Sequence, residues 1–208
     1  RDKGGYFIAE IKDSMIFDTS NYLSWNKMQP QKSFGMFSKI SPDGRYVATT
    51  IRDRVVSRNF GYVPEKRAFS QIFFPVNGIL AIYDRQTNTL KELPGANDEQ
   101  YVHSNAFWTP DGKNILFVRA KALPYVGNNR DFLMNEDTIV DAFINGTRDF
   151  KFDIYTIPFN EGKGGKAKPV KGASGNGKSN YFPAVSPDGK WLIFCQSENY
   201  MLIQPDSR

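Results

Sequence analysis

The chain has 208 residues and a formal net charge of +5, with 40% hydrophobic and 24% charged residues. That composition can bury a core and excludes a chain that is disordered by composition. One cysteine, Cys195, and one histidine, His103, exclude a disulfide framework and a Cys- or His-rich metal site. No apolar run approaches the roughly 18 residues that span a bilayer. No signal peptide is visible, and Arg1 in place of Met points to a trimmed chain.

Residues 1–31 read as an irregular lead-in or the tail of a preceding unit, with a strand at Gly5–Ile11. Beyond them a tetrapeptide recurs three times: Ser41-Pro42-Asp43-Gly44, Thr109-Pro110-Asp111-Gly112 and Ser186-Pro187-Asp188-Gly189. In each copy Pro presets the first central φ, Asp bonds its own backbone two residues on, and Gly accepts a positive φ. A β-rich stretch precedes each turn: Phe37–Ile40, Asn105–Trp108 and Tyr181–Val185. An apolar run follows each: Tyr46–Thr49, Ile115–Val118 and Trp191–Phe194. Two such runs about a tight turn make a hairpin. A second hairpin completes the unit twice, at Gly78–Asp84 with Thr89–Leu93 and at Phe152–Ile157 with Lys168–Val170.

Four strands per repeat predict an all-β fold, a β-propeller segment of about three four-stranded blades within a six- to eight-bladed propeller. The blades are expected at about 34–95, 101–171 and, in part, 178–208, together occupying 32–208. The copies start 68 and 77 residues apart, against about 40–45 for an uninterrupted blade. Two insertions between second and third strands account for the excess, near Arg52–Pro75 and Lys121–Asp149. They are expected as long loops, the second with a short helix between Asp131 and Phe143. Long loops on a rigid scaffold carry partners, so Arg54, Arg58, Tyr62 and Arg130 are predicted to face a protein partner.

Other motifs have structural readings. Gly172–Ser179 fits the phosphate-loop pattern G-x-x-x-x-G-K-[ST], which requires a helix directly after it. Pro183 and the next turn leave no room for one, so the octapeptide reads as an inter-blade loop. His103-Ser104 has no nucleophile elbow to accompany it and reads as structural or solvent-facing. Asp43, Asp111 and Asp188 serve their turns and not a metal. Pro42, Pro110 and Pro187, with Gly44, Gly112 and Gly189, are turn residues likewise. Asn145-Gly146-Thr147 is a sequon that reads as a turn. Cys195 reads as a buried or half-buried strand residue. Two basic clusters, Arg52–Arg67 and Lys163–Lys178, read as solvated loops, and no nucleic-acid-binding motif accompanies them.

The Ser/Thr-Pro-Asp-Gly-Lys/Arg hairpins, with Ile154-Tyr155-Thr156-Ile157 and the following Gly164-Gly165 turn, resemble the WD40-like β-propeller repeat of TolB-type proteins between about Phe34 and Phe194. The resemblance implies a domain exported to the periplasm or outer membrane that binds proteins and is not itself an enzyme. Some relatives instead form the propeller portion of a larger hydrolase, a peptidase or a glycosidase. No cofactor is expected: haem-attachment motifs of larger proteins with this repeat have no Cys-x-x-Cys-His counterpart here. The expected partner is a protein, with no nucleic acid and no membrane span. Self-association is expected if the propeller is not completed in cis. A saccharide-binding propeller would instead gather carboxylates and aromatics at the central axis.

Overall fold

The computed structural model describes residues 6–7, 22–31, 33, 35, 37–60, 70–123, 133–134 and 150–198. A short antiparallel pair, β1 (Tyr6–Phe7) with β2 (Tyr22–Leu23), and a one-turn helix α1 (Trp25–Met28) make up the lead-in. The first sheet then runs β3 (Lys39–Ile40), β4 (Tyr46–Phe60), β5 (Ser70–Asp84) and β6 (Thr89–Glu92) as an antiparallel meander. The second follows the same order with β7 (Tyr101–Trp108), β8 (Asn114–Lys121), β10 (Asp153–Pro158) and β11 (Lys168–Pro169). Between them in sequence, β9 (Leu133–Met134) leaves its own repeat and pairs with β4 of the first sheet, parallel, at Val55–Val56. The third unit is the pair β12 (Ser179–Val185) and β13 (Leu192–Ser197).

Two meanders of four strands and the first hairpin of a third, packed face to face in chain order, make an all-β propeller segment. Strand alternation supplies both faces of each sheet. On β4 and β5, Ala48, Leu80 and Ile82 meet Ala106, Trp108, Ile115, Phe117 and Ile157 of the second blade. That blade turns Val102, Leu116, Val118 and Ile154 the other way, onto Tyr181 and the half-buried Leu192 and Phe194 of the third. Val47 and Tyr83, on the opposite face of the first sheet, are covered by Trp25, whose ring lies 5.5 Å from that of Tyr83. Burying each large apolar side chain contributes about 1.5–3 kcal/mol.

The repeated turn is built alike three times. Ser41, Thr109 and Ser186 each donate a hydroxyl hydrogen to the Asp two residues on, at 2.5, 2.6 and 2.5 Å. The same carboxylate oxygen accepts the N–H of Arg45, Lys113 and Lys190 at 3.1, 3.0 and 3.1 Å. The hydroxyl first, and then that N–H, hold Asp43, Asp111 and Asp188 below the usual carboxylate range. Gly44, Gly112 and Gly189 stand at φ 74°, 68° and 73°, where a Cβ is strained. Gly112→Val is therefore expected to cost more than about 1 kcal/mol. A melting temperature equal to wild type would remove the turn from the list of determinants.

The structure departs from sequence expectation at three places. The first insertion is not a loop: β4 and β5 are 15 residues each and stay paired from Tyr46↔Asp84 out to Phe60↔Ser70. The apolar runs Val55-Val56 and Ile72-Phe73-Phe74 extend the hairpin into a long ribbon. In the second insertion Leu133–Met134, expected within a helix, is strand. Its backbone groups find partners on the ribbon edge, and the rest of that helix expectation lies outside the described residues. Cys195 is exposed, as are Trp191 at 74% and Ile193 at 72%. Ile193 and Cys195 occupy the face of β13 turned away from the second blade, Trp191 leads into the strand, and among the described residues no sheet packs on that face.

Candidate functional site

The first strands of the three units, β3, β7 and β12, come together on one side of the segment. The Trp108 indole N–H donates to the Lys39 carbonyl at 3.0 Å, joining β7 to β3. Phe37, just before β3, and Phe182 on β12 meet edge to face with ring centroids 5.6 Å apart. In propellers the blades surround a central channel; here the three first strands make one continuous wall.

That wall is irregular in a repeated way. Phe37, Asn105 and Phe182 each stand four residues before their Ser/Thr-Pro-Asp-Gly turn, and each has a left-handed backbone, φ 63°, 53° and 53°. The β7–β8 register jumps between Ser104 and Phe107, and the β12–β13 register between Tyr181 and Ala184. A bulge of this kind ends strict alternation and re-aims the neighbouring side chains. A left-handed residue other than glycine costs about 1–3 kcal/mol and persists only where its surroundings fix it. Asn tolerates the conformation; Phe does so poorly.

The bulges frame a recess of about 220 Å³ lined by Phe37, Lys39, Asn105, Ala106, Phe107, Phe182, Pro183 and Ala184. Most of the lining is ring and methyl surface. The Lys39 ammonium lies 5.9 Å from the Phe107 ring centroid and is the one charge in the wall. Asn105 is only 5% exposed, and its amide nitrogen Nδ2 has no hydrogen-bond partner. A buried donor left unmatched costs about 1–3 kcal/mol. The lining thus offers aromatic rings, one side-chain amide and one ammonium. The carboxylates that a saccharide site would gather are absent from this lining.

The predicted partner residues lie elsewhere. Arg54 is on β4, not in a loop, and is 6% exposed. Arg58 is farther out on the same strand, opposite Ile72. Tyr62 and Arg130 lie outside the described residues, as does the Asn145 sequon. Arg52 and Arg54 flank a kink where the ribbon leaves the blade. Arg52 has φ 54°, and the β4–β5 register shifts twice between Ile51 and Val55. The Arg52 guanidinium bridges Glu92 at 2.6 Å and Glu99 at 2.9 Å. Both Asp53 carboxylate oxygens accept the Gly35 N–H at 3.0 Å. A polar cleft of about 190 Å³ opens here, lined by Gln31, Arg52, Arg54, Asn77, Gly78, Ile79 and Glu99. The solvated loop expected for this basic cluster is thus, at Arg52 and Arg54, a bridged and largely buried kink.

His103, on β7, is fully buried with its ring 5.5 Å from that of Phe117. Burial first, and then the Arg119 guanidinium on the paired strand, push its pKa down to about 4; Asp98 and the Gly78 backbone act weakly the other way. With its pKa held well below neutrality, the imidazole is an uncharged packing group at pH 7. The Gly172–Ser179 octapeptide runs through turns directly into β12. It is held by the Gly175 N–H to Asp153 at 2.9 Å and by the buried Ala173, with no helix to receive a phosphate. Among the described residues no helix is long and apolar enough to cross a membrane.

No family model matches the chain, and no curated protein matches it. Among solved structures it is similar to hydrazine synthase of Kuenenia stuttgartiensis, at 19% identity and a TM-score of 0.41, over 76% of this chain and 35% of that one. It is also similar to a TolB of Agrobacterium tumefaciens, at 15% identity and a TM-score of 0.38, over 81% of this chain and 57% of that one. The chain therefore spans about a third of the first protein and little more than half of the second.

Proposed function

We propose that this chain is a non-catalytic interaction scaffold of an exported TolB-like propeller protein, and that it holds a protein partner at the recess between its first strands. The observation that carries the reading is the left-handed backbone shared by Phe37, Asn105 and Phe182. The same strained backbone at the same repeat position turns Phe37, Asn105 and Phe182 around one recess, and strain that recurs at a concave apolar surface marks binding. Export is supported by the repeat resemblance. The recess displaces the ribbon residues Arg54 and Arg58 as the first contact surface.

The test is a photo-crosslinking amino acid placed at Phe107, with a second at Gln86 on the exposed β5–β6 turn as control, in the protein expressed in its own host. Crosslinking to a discrete protein from position 107 and not from 86 is expected. Phe182→Asp keeps a residue that tolerates the left-handed backbone and should reduce that product at least ten-fold. Equal products from 107 and 86, indifferent to Phe182→Asp, would overturn the reading. Hydrolytic activity lost in Phe182→Asp would turn it towards an enzyme.

A further inference from the structure

We infer that the recess selects the carboxyl terminus of its partner: a final residue with an apolar side chain and a free α-carboxylate. The inference rests on the recess being the interaction site, and it names the chemistry that fits it.

Three features converge on that ligand. The first is size, since about 220 Å³ accommodates one large apolar residue and not a helix or a folded surface. The second is the apolar wall: Phe37, Phe107, Phe182 and Pro183 offer ring faces and edges to a single side chain. The third is the polar pair. Asn105 is held almost wholly out of water by its neighbours, yet its Nδ2 donor is unmatched. A small rotation of the side chain would bring this donor to an acceptor seated in the recess and relieve that deficit. Lys39 stands in the same wall and is its only charge. An acceptor that also carries negative charge satisfies both groups, and hydrogen bonds to a charged acceptor are the stronger ones.

A carboxylate next to an apolar side chain is the chemistry of a chain terminus. An internal peptide bond would supply the acceptor for Asn105 and leave Lys39 unmatched. An internal acidic side chain would match Lys39 and leave the rings without an apolar group. At the polar cleft of the ribbon base Arg52 already bridges Glu92 and Glu99, and the unmatched group is the Asn77 Oδ1 acceptor, which asks for a donor and not for an anion.

The experiment titrates the full chain with N-acetyl-phenylalanine, its carboxamide and N-acetyl-aspartate, followed by NMR shifts of the Asn105 side-chain amide and by calorimetry. N-acetyl-phenylalanine is expected to bind at least five-fold more tightly than either of the others. Lys39→Gln should erase the preference for acid over amide. Asn105→Gly removes the donor and keeps a residue suited to φ 53°; it should weaken the acid and the amide together. Melting curves of both variants establish that they fold. Equal binding of acid and amide in the wild type overturns the inference. So does binding of N-acetyl-phenylalanine that neither substitution alters, or no binding by any probe. Crosslinking from position 107 with no acid preference would leave the interaction site standing and remove only the carboxyl-terminal selectivity.

Discussion

Gly95→Ala is expected to lower the stability of the protein by about 3 kcal/mol, the largest effect of a single added methyl group in the segment. Gly95 lies in the loop leaving the first blade, at φ 90°, and a Cβ there would stand 1.8 Å from the Gly165 carbonyl oxygen in the second blade. The two loops are already locked together, since the Gly165 N–H donates to the Pro94 carbonyl at 3.1 Å. On the other side, a Cβ on Gly164 would stand 2.0 Å from the Pro94 oxygen. Both obstacles are backbone, so no rotamer change relieves them. Gly172→Ala is the control. Its φ is 84°, but nothing lies within 4 Å of the added atom, so it carries only the left-handed penalty of about 1–2 kcal/mol. For a chain of this size the Gly95 variant should melt roughly 6–12 °C below wild type, and clearly below the Gly172 variant. Two variants of equal stability would show that the blades do not depend on this contact.

The second large effect is on pH dependence. The folded protein holds His103 at about 4, below the unfolded reference of about 6.5. Between those values the unfolded chain binds a proton that the folded chain does not. Stability therefore falls as the pH is lowered from about 6.5 to about 4, and the loss amounts to about 3 kcal/mol. Urea unfolding at pH 7.5, 5.5 and 4.5 measures it directly. His103→Phe keeps an aromatic ring against Phe117, removes the titrating group and should flatten this part of the profile. The turn aspartates contribute in a lower window. Their carboxyls are held below the usual range, so their stabilisation is present above about 4 and fades beneath it. A His103→Phe variant that tracks wild type over the whole range would show that the imidazole is charged, or hydrated, in the folded state.

The parts of this fold that follow from short-range rules were legible in the sequence. The three turns were, because Pro, Asp and Gly each have one steric or hydrogen-bonding task and sit adjacent to one another. The paired strands beside them were, because apolar runs bounded by such turns have few alternatives. The ribbon was not. Arg52, Asp53, Arg54 and Arg58 interrupt apolar alternation along β4, and a charged stretch reads as loop until a partner strand is known. The recess was missed for another reason. Asn105 is a residue type that accepts a left-handed backbone, and its place four residues before a turn was a usable signal. Phe37 and Phe182 gave the opposite signal, and Pro183 after Phe182 argues for an extended residue there. Their conformation goes with packing between blades, as in the Phe37–Phe182 ring contact, and no local pattern in the sequence encodes it. His103 was read as structural or solvent-facing; its complete burial depends on the first blade, which contributes Gly78 from far along the chain.

The parallel pairing of Leu133–Met134 with Val55–Val56 bears on how such a chain evolves. Repeat proteins diversify by gaining, losing and exchanging units one at a time, which works when each unit closes on its own backbone. Here a two-residue strand from the second repeat pairs with the edge of a ribbon that belongs to the first. Deleting either insertion leaves an unpaired strand edge on the other, with the exposure to unwanted pairing that this brings. The heritable module is the two repeats with both insertions. A transplant into another propeller that cuts at the blade boundary would divide it.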